Sequence, residues 1–303
     1  MPNVSLICTV LNEQETILPL LQSVSNQTRL PNETIIVDGG STDKTVAVLK
    51  KEKKQFPHLK LKIIQEKTNR SEGRNLAIKK AKYDTIAITD AGCILDQNWL
   101  EELVKKQLQT GADVVAGYYR SEPKTPFEEA VVPFTLVMPD KVDPLNFLPA
   151  TRSMLITKAA FKKVGFFNPK LDVSEDYEFA HRLKTAHVSI VFAREATVIW
   201  LPRSTPSGFF KMVKSMALGD ATAGIIRPKV YLIFIRYVIF VLLLSTPLYF
   251  WLLMIAYSIW AVSKNKKYVS SNEAYVWLIA LQYIADIGVM VGTINSITES
   301  HDA

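Results

Sequence analysis

The sequence predicts an α/β fold: a doubly wound, mainly parallel sheet followed by a C-terminal α-helical membrane region. Three observations predict it. Short β-branched runs alternate with amphipathic helical stretches through residues 1–120, the pattern of parallel strands joined by crossover helices. Two of those runs, 33–38 and 83–90, end in an aspartate followed at once or one residue later by glycine, at the strand edge where an open α/β sheet meets its ligand. The last third changes character, with two long apolar stretches set between lysine and arginine clusters.

Taken in order, residues 4–10 read as a buried strand. Residues 12–25 carry Ile17, Leu18, Leu20, Leu21 and Val24 at amphipathic spacing, with Asn12 and Glu15 arranged as a cap. Residues 33–38 are a second strand closed by Gly39-Gly40, and Ser41-Thr42-Asp43 can cap the next helix. The lysine run 50–54 is a solvated helix end. A third strand covers 59–65, a third helix 71–81 and a fourth strand 83–90. A further helix opens at Asp96 and Asn98 and is carried by Trp99, Leu100 and Leu103. From Tyr118 six prolines punctuate a segment too apolar for disorder, which predicts an ordered lid or acceptor-side loop. A strand at 154–156, helices at 158–164 and 174–184, and two closing strands at 188–192 and 196–200 complete the sheet.

Composition narrows the function class. With 303 residues the chain can bury a full core. Its two cysteines, Cys8 and Cys93, each end a strand and read as packed thiols, not a disulfide or metal framework. Met1-Pro2-Asn3 leads straight into a strand without a secretory signal, which predicts a first domain facing the cytosol. A net charge of +7 and a pI near 9.2 suit an anionic membrane surface or polyanionic substrate. No zinc spacing, arginine-rich motif or aromatic RNA-binding signature supports nucleic acid.

The candidate chemistry lies at strand ends and helix starts. Asp38 stands before a glycine pair, where it can close a turn or accept a hydrogen bond from a nucleoside. Thr9 and Glu13 flank the end of the first strand. Arg74 lies near a helix start, where it is either an exposed surface arginine or a phosphate clamp. Asp90 ends the fourth strand. Asp176 lies in the first turn of its helix, beside Asp172 and Glu175, which could form a capping box; its functional reading is a base for an attacking hydroxyl. His181 and Arg182, on the following turns, read as structural.

Five stretches, 4–13 (Val4-Ser-Leu-Ile-Cys-Thr-Val-Leu-Asn-Glu13), 36–43 (Ile36-Val-Asp-Gly-Gly-Ser-Thr-Asp43), Gly73-Arg-Asn75, Thr89-Asp-Ala-Gly92 and Ser174-Glu-Asp-Tyr-Glu178, occur in the order and at the spacings of a known family. The chain resembles the family-2 inverting glycosyltransferases of GT-A fold, over roughly residues 3–205, and within them a membrane-attached subgroup. The resemblance implies a nucleotide-diphosphate sugar donor, a UDP- or GDP-sugar, with Thr9, Glu13 and Asp38 on the nucleoside and Arg74 near the ribose and diphosphate. It makes Asp90 the first acid of the Asp-x-Asp motif, and so a ligand for Mg2+ or Mn2+, and Asp176 the general base. Two positions depart from the pattern: the second motif acid is Gly92, and a downstream histidine is replaced by Trp200. Those changes weaken a metal site: a cation could still be held by the diphosphate, water and Asp90, or Arg74, Arg203 or lysines could neutralise the leaving group, which moves the expected burden towards basic residues. The Gln-x-x-Arg-Trp of processive synthases does not follow Trp200, so single-sugar addition is expected. A nucleotidyltransferase would need a glycine- and lysine-rich loop after the first strand, where this chain has Leu11-Asn-Glu-Gln14. A catalytically weak sugar-nucleotide-binding membrane protein is the alternative from another class, motivated by Gly92.

The domain expectation is a catalytic domain over 1–225 and a membrane region over 226–303. Within the latter, 230–262 has Arg236 as its only charge and 274–297 has Asp286. A single span needs roughly 20 apolar residues. Basic clusters at 227–229 and 264–267 favour a hairpin broken near Ser245-Thr246-Pro247, or a reentrant pair, over one straight crossing. The alternative is a helical pair buried in a soluble protein. A lipid-linked or saccharide acceptor of the cell envelope, used at the cytoplasmic membrane, follows from this region.

Overall fold

The structure, a computed structural model, describes residues 1–299. In chain order its elements are β1 (Val4–Val10), α1 (Ile17–Ser25), β2 (Glu33–Asp38), α2 (Thr45–Gln55), β3 (Leu61–Gln65), α3 (Arg70–Lys80), β4 (Thr85–Ile88), β5 (Cys93–Leu95) and α4 (Trp99–Thr110). They continue with β6 (Val114–Arg120), α5 (Pro126–Thr135), β7 (Met154–Thr157), α6 (Lys158–Val164), α7 (Glu175–Thr185), β8 (Ile190–Trp200), α8 (Pro206–Thr222), α9 (Pro228–Leu242), α10 (Pro247–Asn265) and α11 (Asn272–Glu299). Two compact units result: Met1–Ser121 with Asp140–Leu201, and Glu122–Pro139 with the described residues from Pro202 onward. The composition changes near 226, whereas the packing divides at Pro202, because α8 packs with the helices that follow it.

The first unit is built on a sheet of order β3-β2-β1-β4-β7-β6-β8-β5. β3, β2, β1 and β4 run parallel, as apolar strands joined by crossover helices must. β7 is antiparallel to both β4 and β6, and β5 to β8, so the sheet is mixed, though mainly parallel. Ile7, Ile35, Val37, Ile86 and Ile88 from the parallel strands share a core with Ile156, Phe161, Phe179 and Leu183 from later segments.

β5 is a short strand that the sequence expectation did not include, and four other elements differ from it for local reasons. The first helix starts at Ile17, because Asn12 turns into the left-handed region (φ +56°) and accepts from the Thr42 amide at 2.9 Å instead of capping. Residues 12–16 are thereby stitched to 41–45, with the Glu13 amide donating to Thr45 Oγ1 at 2.8 Å. β6 carries a mid-strand glycine that hides its pattern; a Cβ at Gly117 would lie 1.9 Å from Ser153 Oγ, so only glycine lets β7 approach. The proline-punctuated segment is not one long loop. Thr125 caps α5 by accepting from the Glu128 amide, Pro126 sits at the tolerated first position, and Pro133 falls in the last turn. The two closing strands are one, β8, whose register against β6 shifts between Gly117 and Tyr118, so that 194–196 bulge out.

The second unit is helical. Gly288 and Gly292 on α11 admit α8 closely; a Cβ at Gly292 would lie 2.2 Å from the Lys214 carbonyl oxygen. α5 packs on α11 through edge-on Phe127 and Trp277 rings, 4.9 Å apart. α9 and α10 form a hairpin whose break falls at Leu243–Ser245 and Pro247, as the sequence predicts. Two helical segments, Pro228–Ser245 and Asn272–Thr298, are long and apolar enough to cross a membrane. Only 11% and 33% of them is buried within the protein, whereas the core helix of a soluble protein would be mostly covered. On the outer faces of the hairpin Leu232, Val241, Leu242, Leu248 and Trp251 are each more than half exposed.

The lone charges of the two apolar stretches find each other. Arg236 Nη1 lies 3.1 Å from Asp286 Oδ2, and the Tyr257 hydroxyl accepts from Arg236 and donates to Asp286, both at 2.5 Å. Gln282 Nε2 donates to the other oxygen at 3.0 Å. Removing one member would strand a charge among apolar helices, at a cost of about 3–5 kcal/mol, whereas removing both leaves no unpaired charge, only the smaller cost of freeing Tyr257 and Gln282. Asp286→Leu should therefore lower the melting temperature of the purified protein markedly. The double variant with Arg236→Leu should recover most of the loss, and equal destabilisation by single and double variants would refute the pair.

Candidate active site

β2, β1 and β4 are neighbours, and their carboxyl ends share one edge of the sheet. Val10 pairs with Asp38 and Ile7 with Ile88, so Thr9, Asp38 and Asp90 come together there. Glu13 follows on the loop after β1. Its carboxylate accepts from Thr16 Oγ1, and its backbone carbonyl accepts from the Ile17 amide. The loop after β2 is drawn tight: a Cβ on Gly39 would meet the Thr68 carbonyl oxygen at 2.8 Å, and Gly40 has φ +103°. Asp38 is buried and accepts from the Gly40 and Ser41 amides at 3.3 and 3.2 Å, so it does close its own turn.

Of the two readings open for Arg74, the exposed surface arginine does not hold: it is 2% exposed on α3, whose start is fixed by a capping box between Asn69 and Glu72. Nη2 donates to Asp90 Oδ1 at 2.7 Å, and Nη1 donates to Glu175 Oε1. The Phe167 ring covers the guanidinium at 5.6 Å. Burial alone would lower the guanidinium's pKa, but Asp90, Glu175 and Asp176 outweigh it and raise it. Burial likewise pushes Asp90 up, and Arg74, Arg152 and Arg70 more than reverse it, holding its carboxyl below the usual range. Glu175 ends above its usual range, because desolvation and the neighbouring Asp176 exceed the pull of Arg74.

The capping box expected from Asp172 and Glu175 does not form. Asp172 accepts from the Arg70 amide at 2.9 Å, Glu175 is committed to Arg74, and Ser174 enters α7 at φ +61° without a side-chain cap. Asp176 follows, half-buried, with Oδ1 accepting from the Tyr177 amide at 2.8 Å. Arg182 is structural: it donates to the carbonyls of Val164 and Phe166 and closes the end of α6.

Sequence reasoning missed Arg152. Its guanidinium lies 4.5 Å from the Trp200 ring and 5.3 Å from the Tyr119 ring, a cation held between two aromatic faces. Its charge also reaches Asp90. No motif surrounds it, and a lone basic residue in an irregular segment gives no signal; only the fold brings it to the strand ends.

Metal chemistry finds few ligands here. Asp90 Oδ1 is already engaged by Arg74, and position 92 has no side chain. A Cβ at Gly92 would meet nothing within 4 Å, so sterics do not enforce the missing acid. Among the described residues no three His, Cys, Asp or Glu side chains are grouped to hold an ion. These residues do not fit a resident divalent cation. Cys8 and Cys93 are buried with raised thiol pKa values, Cys93 up to about 12 through desolvation and Asp90, which removes a thiolate nucleophile.

Comparison with known proteins places this geometry. The profile of glycosyl transferase family 2 matches residues 5–164. The glycosyltransferase AglE of Haloferax volcanii is 27% identical over 200 residues, covering 64% of this chain and 66% of that one. The poly(ribitol-phosphate) beta-glucosyltransferase of Bacillus spizizenii is 28% identical over 219 residues, covering 62% of this chain and 34% of that one. The chain thus spans less than two thirds of either relative's length. Among solved structures, the mannosyltransferase PcManGT of Pyrobaculum calidifontis, in complex with GDP-Man and Mn2+, superposes with a TM-score of 0.62 at 15% identity, covering 98% of this chain and 87% of that one. S. aureus TarS 1-349 in complex with UDP superposes with a TM-score of 0.51 at 20% identity, covering 72% and 65%. These likenesses show the fold, a mainly parallel α/β sheet of GT-A type followed by C-terminal helices. With the matched profile covering more than half of the sequence, the chain belongs to glycosyl transferase family 2.

Proposed function

We propose that the chain transfers a single sugar, with inversion, from a nucleotide-diphosphate sugar to a lipid-linked or envelope glycan acceptor at the cytoplasmic membrane. The observation that carries this reading is the buried Arg74, which ties the strand-end acid Asp90 to Glu175, the residue adjoining Asp176. The GDP-Man and UDP in the two superposed structures support a nucleotide-sugar donor, of either base. The exposed apolar faces of the C-terminal helices support membrane attachment, and with it a membrane-borne acceptor.

In this reading Thr9, Glu13 and Asp38 hold the nucleoside, Asp38 by fixing the loop whose backbone the ligand approaches. Arg74, whose two terminal nitrogens are each taken by a carboxylate, orients Asp90 towards the donor instead of clamping the diphosphate itself. Asp176 accepts the proton of the acceptor hydroxyl. The freed oxygen forms the new bond to the anomeric carbon from the opposite face, and the carbon–oxygen bond to the diphosphate breaks with its electron pair on the departing phosphate. Arg152 stabilises that developing charge. A guanidinium is permanently charged and stacks on aromatic faces, so Tyr119 and Trp200 can hold it ready at little cost when the phosphate departs.

Asp176→Asn should leave nucleotide affinity unchanged and cut turnover by about a hundredfold or more; normal turnover in a donor-consumption assay with membrane extract would remove it as the base. If donor binds and neither protein turns over, the alternative of a binding protein motivated by Gly92 is favoured. Arg152→Ala should cost about 100- to 1,000-fold in turnover, the usual effect of losing one charge-stabilising donor. Exhaustive chelation should inhibit the wild type far less. Abolition by EDTA with rescue by Mn2+, alongside an active Arg152→Ala, would overturn this assignment. Asp38→Ala should weaken nucleotide binding measured calorimetrically, and an unchanged dissociation constant would confine Asp38 to its turn.

A further inference from the structure

Three guanidinium groups act on Asp90, those of Arg74, Arg152 and Arg70. Arg74 has each terminal nitrogen on a carboxylate, and Arg152 lies against the Tyr119 and Trp200 rings. Arg70 is held differently. Its backbone is fixed as the first residue of α3, behind the Asn69–Glu72 capping box, with its amide donating to Asp172 Oδ1 at 2.9 Å. Its side chain is 47% exposed, and among the described residues its guanidinium makes one ion pair, 4.0 Å from Glu175 Oε2.

The loop before α3 shows what lies on either side of Arg70. A Cβ at Gly40 would touch Lys67 Cγ at 3.6 Å, and one at Gly73 would lie 3.0 Å from Thr9 Cγ2 and 3.1 Å from Thr68 Oγ1. Residues 67 and 68 therefore border Thr9 and the turn closed by Asp38, the end assigned to the nucleoside. Arg70, two residues on, borders Glu175, the neighbour of Asp176, at the end assigned to the reaction. A nucleotide-diphosphate sugar spanning those two ends sets its diphosphate along this stretch. That group brings negative charge, and a guanidinium can take it through two parallel hydrogen bonds. Giving up Glu175 loses little, because a long ion pair with a half-exposed partner contributes little. Glu175 is not stranded either, since Arg74 Nη1 stays on it.

We propose that Arg70 is the clamp for the donor's diphosphate, exchanging Glu175 for the phosphates when the donor binds. Arg74 keeps Glu175 in place meanwhile, and Arg152 meets the charge that develops as the bond breaks. The inference rests on the nucleotide-sugar reading of the site. It gives the arginines separable effects. A contact present both in the bound donor and at the transition state tightens binding without speeding the chemical step.

The test takes the full chain in detergent micelles and measures by calorimetry its affinity for UDP, GDP and the two monophosphates. The wild type should bind one diphosphate about tenfold or more tighter than the matching monophosphate. Arg70→Gln should lose most of that preference, with its melting temperature and its monophosphate affinity little changed. Arg70→Lys keeps the charge without the fork and should fall between the two. Lys51→Gln, which removes an exposed charge on α2, should match the wild type. In donor-consumption kinetics Arg70→Gln should raise the donor KM about tenfold and leave kcat within about threefold, the reverse of Arg152→Ala. An unaltered diphosphate preference in Arg70→Gln overturns the clamp and leaves the transferase reading standing. So does an equal loss in Lys51→Gln, which would mark a general charge effect, or a fall in kcat at unchanged KM. A wild type that prefers neither diphosphate overturns the clamp and the donor reading together.

Discussion

The ion pairs of Arg74 with Asp90 and Glu175 constrain the catalytic unit more than any other interaction. Both Arg74 and Glu175 are nearly inaccessible, so their charges must be satisfied within the protein, chiefly by each other. Leaving either unpartnered would cost about 3–5 kcal/mol. Asp90 is less buried and contributes less to stability, but it is held by the same guanidinium. One residue on α3 therefore fixes the end of β4 and the start of α7, segments more than eighty positions apart in sequence. Ser174, immediately before the paired Glu175, enters α7 from the left-handed region at φ +61°.

The helical unit obeys the same rule under a different solvent. Arg236 and Asp286 are affordable among apolar side chains because they meet, with Tyr257 and Gln282 taking the remaining hydrogen bonds. In both units a carboxylate and an arginine far apart in sequence define a packing register that apolar contacts alone, being non-directional, would leave loose.

How legible this was in the sequence depended on the range of the interactions. The parallel strands β1 and β2 were readable to the residue, because burial on both faces leaves an uninterrupted apolar run. The hairpin break at Pro247 was equally plain. Elements governed by distant partners were not. Asn12 looks like a cap until the loop after β2 takes its side chain, and β6 hides behind a glycine that only Ser153 and the Ala196 backbone explain. Arg74 and Asp176 were found through motif spacing, but whether Arg74 was exposed or buried hinged on Glu175, about a hundred residues away. Arg152 had no local mark at all.

Gly92, Trp200 and Arg152 make sense as one arrangement on the proposed reading. A second motif acid at position 92 and a histidine near position 200 would add ligands for a divalent cation, yet the backbone at 92 would accept a side chain without a clash. An acid there would add negative charge beside Asp90, in a site whose cations already serve the carboxylates. Tryptophan in place of histidine removes a ligand and, in the same step, supplies an aromatic face 4.5 Å from the Arg152 guanidinium. The departing diphosphate needs positive charge from some source. On the proposed reading an arginine stacked on Tyr119 and Trp200 supplies it, and its planar, always-charged head tolerates that apolar setting better than lysine would. On that reading the two departures from the family pattern share a single physical cause: the chain itself carries the cation.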